Sequence, residues 1–207
     1  MAYTAWSVVY GEQPTAAKWN QLGTNDAGFK DGTNIDSGVI TPAKLSSEAK
    51  WWEELGRHTL GSTSATMTVS FTAKKYLQII LAGTGTSTGL FQLRFNNDSA
   101  ANYARRTSTD GAVDATAVSG GVLVNHTAPA AGSPALAILD VINIANLQKL
   151  AMSRFISDVT TGAATAPSRN ETATKWVNTS VQISRVDALL STGSFTSGSE
   201  LIILGHD

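Results

Sequence analysis

The chain has 207 residues, of which 42% are hydrophobic and only 15% are charged, and its formal net charge is −1. The apolar fraction suffices for a buried core and excludes wholesale disorder. The absence of a basic cluster argues against a nucleic-acid partner, because phosphates are bound by clustered Lys and Arg. With no cysteine in the sequence, disulfides and thiolate metal sites are excluded.

A charged fraction well below the usual ~25% suits a protein that stays in a large assembly, since charge repulsion keeps separate molecules apart. The N-terminal residues MAYTAW lack the basic region and apolar core of a signal peptide. No apolar run approaches the ~20 residues that span a bilayer. We therefore expect synthesis and assembly in a cytoplasm, without membrane insertion.

Residues 1–57 form the first of two regions and predict an arm with two short helices. Thr15, which follows Pro14 and precedes good helix formers, is an N-cap signal for the first helix. Thr41-Pro42 gives the same signal for the second helix, with proline at its first position. The segment between them is rich in turn residues and predicts an extended connector.

Apolar residues lie along one side of each predicted helix. The stripe of the first helix contains Trp19, Leu22 and Phe29, and that of the second contains Leu45, Trp52 and Leu55. Helices this short are not stable alone. We expect them to pack either on copies of themselves or, alternatively, as a flap on the rest of the chain.

Residues 58–207 predict a head domain built from eight to ten short strands separated by polar loops. The predicted strands cover residues 66–72, 76–81, 90–95, 103–107, 121–124, 136–144, 151–157, 175–177, 181–190 and 200–204. Residues 136–150 also show some helical spacing, but β-branched residues favour a strand there. The fold class is therefore mostly β: an antiparallel β-sandwich, jelly-roll-like, preceded by the arm.

A search for catalytic and metal-binding patterns finds none. The three histidines are far apart in sequence, and the glycine-rich segment 83–89 leads into a strand rather than the helix that a phosphate loop needs. Asp98 with Asp110 or Glu171 is a conceivable acid pair for glycoside cleavage, but nothing in the sequence selects these acids. We predict a non-enzymatic protein with no catalytic residues, no metal and no cofactor.

Loops on a rigid β-scaffold are the places where ligand contacts accumulate. Three loops are candidates for facing a ligand: 83–89, 96–102 and 162–174. The candidate ligand-facing residues are Thr84, Thr86, Asn97, Asp98, Asn102 and Asn170.

Two stretches of the sequence carry a resemblance to a known family. TAAKWN at residues 15–20 and DGTNIDSGVITPAKL at residues 31–45 resemble the leading segments of tailed-bacteriophage virion proteins, in particular small tail-fibre and head- or neck-decoration proteins. LRFNNDS at 93–99 and GSELIILG at 198–205 resemble the β-sandwich heads of the same proteins. The resemblance implies a homotrimeric appendage of the virion, assembled in the bacterial cytoplasm.

The resemblance also implies partners and contact residues. The arm would bind other virion proteins of the tail, neck or capsid, and the head would bind a host-surface glycan or protein. The implied trimer and scaffold contacts are Trp6, Trp19, Leu22, Phe29, Ile35, Val39, Ile40, Leu45, Trp52 and Leu55. A capsid decoration or neck-fibre protein is the alternative, and a carbohydrate-cleaving tailspike is a more distant one.

Overall fold

The computed structural model describes residues 13, 15–30, 51–125, 128–158 and 162–207. Its internal contacts divide the chain into two units, Met1–Trp51 and Trp52–Asp207; we call the second the β-unit. Five of the predicted arm contacts lie outside the described residues, as does the side chain of Phe29. These five are Trp6, Ile35, Val39, Ile40 and Leu45.

The first predicted helix is present as α1 (Ala16–Lys30) and begins where its capping signal places it. The Thr15 hydroxyl accepts a hydrogen bond from the Lys18 amide at 3.3 Å, and the Thr15 carbonyl accepts one from the Trp19 amide at 3.1 Å. The first contact satisfies an amide that a helix start leaves without a partner, and the second is the first regular hydrogen bond of the helix. Trp19 is 57% exposed and Leu22 is 40% exposed, so within unit 1 the start of the stripe faces outward.

The second predicted helix is wrong at its C-terminal end. Residues Glu53–Thr59 form strand β1, which pairs with the last strand of the chain. Leu55 is the extra residue of a β-bulge in this pairing and packs against the hydrophobic core. Because sheet pairing overrides the helical spacing here, Trp52 and Leu55 belong to the β-unit, and the predicted boundary at residue 57 falls inside β1.

The described part of the β-unit contains twelve strands. They are β1 (Glu53–Thr59), β2 (Thr66–Ser70), β3 (Tyr76–Gly83), β4 (Phe91–Phe95), β5 (Tyr103–Thr109), β6 (Ala115–Ser119), β7 (Val122–Leu123), β8 (Ala135–Ile142), β9 (Lys149–Ser157), β10 (Ser168–Trp176), β11 (Arg185–Leu190) and β12 (Glu200–His206). Every ladder between them is antiparallel. Eight form a large sheet in the order β1-β12-β3-β8-β9-β10-β5-β6, and four form a small sheet in the order β2-β11-β4-β7.

Both sheets contribute apolar side chains to one core. Phe91 and Phe95 of the small sheet contact Phe155 and Trp176 of the large sheet, at ring-centroid distances of 5.5 and 5.8 Å. Alternate residues along β3, β8 and β9 are buried in the same core, as the period of two in a strand requires. The mostly β, antiparallel prediction is confirmed and is consistent with a sandwich; the jelly-roll order is not confirmed.

Candidate interaction surfaces

The strand directions give the β-unit two ends, which hold different candidate loops. We call the end where β1 begins the proximal end; the register brings Glu53 level with Gly205 and Leu77 there. The opposite end, where β3 ends at Gly83, is the distal end. Loop 96–102 follows β4 at the proximal end, whereas loop 83–89 lies at the distal end.

At the proximal end, Asp98 is the centre of a hydrogen-bond network. Its carboxylate accepts bonds from the Trp176 indole at 2.7 Å, the Asn102 amide group at 2.9 Å and the Ala100 backbone amide at 2.9 Å. Partial burial alone would raise the pKa of Asp98, but the hydrogen bonds from Asn102, Trp176 and Ala100 outweigh it and hold that pKa below its ordinary value. Asp98 and Asn102 are therefore already engaged within the chain, while Asn97 is exposed.

The predicted loop placement of Asn170 is wrong. Asn170 lies in strand β10, paired with Thr109 on β5 and Phe155 on β9, and is fully buried. Its side-chain oxygen accepts a hydrogen bond from the Thr109 hydroxyl at 3.0 Å. The sequence of β10, SRNETATKW, does not predict a strand, because its inward residues are mostly polar. Cross-strand bonds such as Thr107 to Thr172, 3.0 Å between hydroxyl oxygens, satisfy those polar groups.

The distal end is a cluster of four segments tied together by backbone hydrogen bonds. Residues 60–65, 83–90, 128–134 and 191–199 meet there: the Thr86 amide donates to the Ser194 carbonyl at 2.8 Å, and the Gly132 amide to the Gly85 carbonyl at 2.9 Å. The Thr84 and Thr196 hydroxyls also contact each other. None of the four segments contains Asp, Glu, Lys, Arg or His, so the cluster itself has no formal charge. Asp110 and Asp158 lie beside it at the same end, and the Asp158 amide donates to the Pro134 carbonyl at 3.1 Å.

The acid pair considered from the sequence is not brought together. Asp98 contacts Trp176 at one end of β10, whereas Asp110 accepts a bond from the Arg169 amide at 2.7 Å near the other end. Trp176 and Arg169 are seven steps apart along β10, which is roughly 23 Å at ~3.3 Å per step. Glycosidase pairs stand ~5 to ~10 Å apart, so Asp98 and Asp110 do not meet that geometry.

The outer face of the large sheet, turned away from the core, carries apolar side chains among its polar ones. An antiparallel sheet with one face on the core normally turns polar residues to the other. Here, however, Ile142 on β8 and Leu150, Met152 and Ile156 on β9 are exposed, and Ile80 on β3 and Ile138 on β8 are half-buried. Gln78, Asp140 and Arg154 lie between them on the same face.

An aromatic group borders this face at the proximal end. The His206 ring stacks on Tyr76 at a centroid distance of 4.9 Å and meets the edge of Trp52 at 4.6 Å. Together with Ile142, Leu150 and Met152, these rings line a cavity of about 560 Å³. The sequence analysis missed this surface because it placed ligand contacts in loops. The strand pattern at 151–157 does not tell which of its faces is exposed.

Within the described ranges, no three His, Asp or Glu side chains gather closely enough to hold a metal ion. None of the helices that the structure describes is long and apolar enough to cross a bilayer. No protein-family model matches the chain, and no curated protein is significantly similar to it.

Proposed function

We propose that this chain is a non-enzymatic structural protein of a tailed-bacteriophage virion, namely a homotrimeric tail-fibre or receptor-binding appendage. Residues 1–51 anchor it to the virion, and the β-unit is a β-sandwich head that contacts the host surface. The observation that carries the proposal is the placement of the uncharged distal loop cluster at the end of the β-unit opposite to the start of β1. An appendage needs this separation between its anchored end and its receptor-binding end.

The chemistry of the four-segment distal cluster supports a neutral receptor. A surface of hydroxyl and amide groups without formal charge suits hydrogen bonding to a neutral glycan or a neutral protein loop, and it gives no electrostatic attraction to anionic polymers. Backbone bonds between the four segments hold the cluster in one arrangement, which reduces the entropy lost on binding. Thr84 and Thr86 lie in this cluster, so the receptor-binding role is proposed for them rather than for Asn97, Asp98 and Asn102.

The exposed start of the α1 stripe supports the anchoring role of residues 1–51. Trp19 and Leu22 expose about half of their surface within unit 1, and aromatic side chains of this kind are frequent anchors in protein interfaces. A virion scaffold protein or the α1 helices of the other two copies would bury them.

The experiment that tests the proposal is imaging of the phage particle. Particles from a culture that produces this chain are labelled with an antibody against the full-length protein and examined by electron microscopy. We expect label on an appendage at the tail, with three copies per appendage by quantitative mass spectrometry. Label on the capsid shell or the neck would replace the tail assignment by a decoration or neck-fibre role, and particles free of the chain would overturn the proposal.

A further inference from the structure

We infer that the outer face of the large sheet is the contact surface for a second copy of this chain. The inference rests on the proposed homotrimer and deepens it, because it assigns contacts between copies to the β-unit in addition to those proposed for residues 1–51. Three properties of the face support it: its apolar side chains, its mostly paired charges and its size.

Apolar side chains recur across neighbouring strands of this face, with Asp140 and Arg154 among them. Ile202, Ile80 and Ile138 stand opposite one another across β12, β3 and β8. On β9, Leu150 and Met152 are each more than half exposed. Contiguous apolar patches on this scale mark protein–protein contact sites. Around a threefold axis, this face of each copy meets the faces of the other two, so one arrangement covers all three.

Most charges on this face are paired within one copy. The Asp140 carboxylate accepts a hydrogen bond from the Gln78 side-chain amide at 2.9 Å and pairs with Arg154 at 3.3 Å. Arg106 pairs with the carboxylate of Asp114 at 3.3 Å. Lys175, opposite Leu150, has no ion pair among the described residues, so a neighbouring copy has to leave its ammonium group in water at the rim of the contact. The net charge of −1 also keeps repulsion between copies small.

The size of the face matches a standard interface. From β12 to β6 it spans seven strands, and with ~4.8 Å between strands and ~8 residues of ~3.4 Å along each, its area is about 900 Å². A stable complex buries ~800 Å² on each partner. The cavity of about 560 Å³ beside Met152 gives a protruding side chain of the neighbouring copy a place to enter.

The absence of cysteine from the chain allows a direct test. Met152→Cys places one thiol on the face, and Val181→Cys places one at an exposed position outside every strand; the native side chains are 55% and 47% exposed. Both full-length variants are labelled with a maleimide at high and low protein concentration, and their masses are measured by light scattering. We expect an oligomer in which the thiol at position 152 reacts at least tenfold more slowly than that at 181, and protection that is lost as dilution dissociates the oligomer.

Three other outcomes would overturn the inference. A trimer in which both thiols react alike leaves the proposed trimer standing but removes the face as its contact. Monomers in which both react alike remove the face and the homotrimer together. Protection at position 152 in a monomer shows that another part of the same chain covers the face. A second test compares Met152→Asp with the control Val181→Asp. Only Met152→Asp is expected to lower the mass of the oligomer or to raise its dissociation constant at least tenfold.

Discussion

Replacing Asp98 by alanine tests the view that this residue stabilises the proximal loop rather than facing a ligand. The Asp98 carboxylate accepts the indole hydrogen of Trp176 at 2.7 Å, and the Trp176 side chain is 1% exposed. A buried donor left without an acceptor costs about 1–3 kcal/mol. The bonds to Asn102 and Ala100 add about 1 kcal/mol together, because both donors regain water.

We therefore expect Asp98→Ala to lower the free energy of unfolding by about 2–4 kcal/mol. At ~2–4 °C per kcal/mol for a unit of this size, the melting temperature falls by roughly 10 °C. Urea unfolding followed by tryptophan fluorescence, together with a thermal melt, measures both quantities. The matched control is Asp114→Ala, whose carboxylate pairs with exposed Arg106 and is worth at most about 1 kcal/mol. Equal losses in the two variants would refute the reasoning.

The remaining predictions concern pH, a close backbone contact and the distal loops. The folded-state pKa of Asp98 lies below its ordinary value. Its carboxylate therefore stabilises the fold above the unfolded-state pKa, and this contribution is lost as pH falls through the lower folded-state pKa. The difference in unfolding free energy between the native chain and Asp98→Asn is expected to shrink as pH falls below about 4, and a constant difference contradicts this. Gly56→Ala is expected to lower the free energy of unfolding by about 1–3 kcal/mol, because the added Cβ would lie 2.6 Å from the Val69 side chain. The control Gly61→Ala, whose added Cβ has nothing within 4 Å, is expected to keep the native melting temperature in a thermal melt. Thr88→Lys in distal loop 83–89 is expected to reduce particle adsorption to the host at least tenfold without lowering the melting temperature, and the same loss with Ser99→Lys at the proximal end would argue against a distal receptor site.

Strands whose inward-facing residues are apolar could be predicted well from the sequence. β2, β3, β4 and β9 alternate apolar and other residues with period two, and their predicted bounds differ from the observed ones by three residues at most. The sequence favours a strand over a helix in residues 136–150, and the structure confirms the strand as β8. In each case the buried side chains are the ones that set the alternation.

The strands that the sequence missed do not bury an apolar row. Most of β10 lies outside the predicted strand 175–177, because its inward Asn170, Thr172 and Thr174 are polar. Their burial depends on hydroxyl and amide partners on β5 and β9, residues that are distant in sequence. β1 is an edge strand without alternation, and β6 is largely exposed. Such strands are specified by their neighbours, so no local pattern reveals them.

The apolar outer face of the large sheet could not be predicted from the sequence either. An alternating strand tells which residues share a face but not which face is buried, and β9 has apolar residues on both: Ala151 and Phe155 point inward, while Leu150 and Met152 point outward. A single chain needs only the inward set for its core. The outward set is exposed in the unfolded chain as well, so it adds little hydrophobic stabilisation to the monomer. Contact between copies, as proposed above, would bury it, and the cysteine-labelling experiment identifies what covers it.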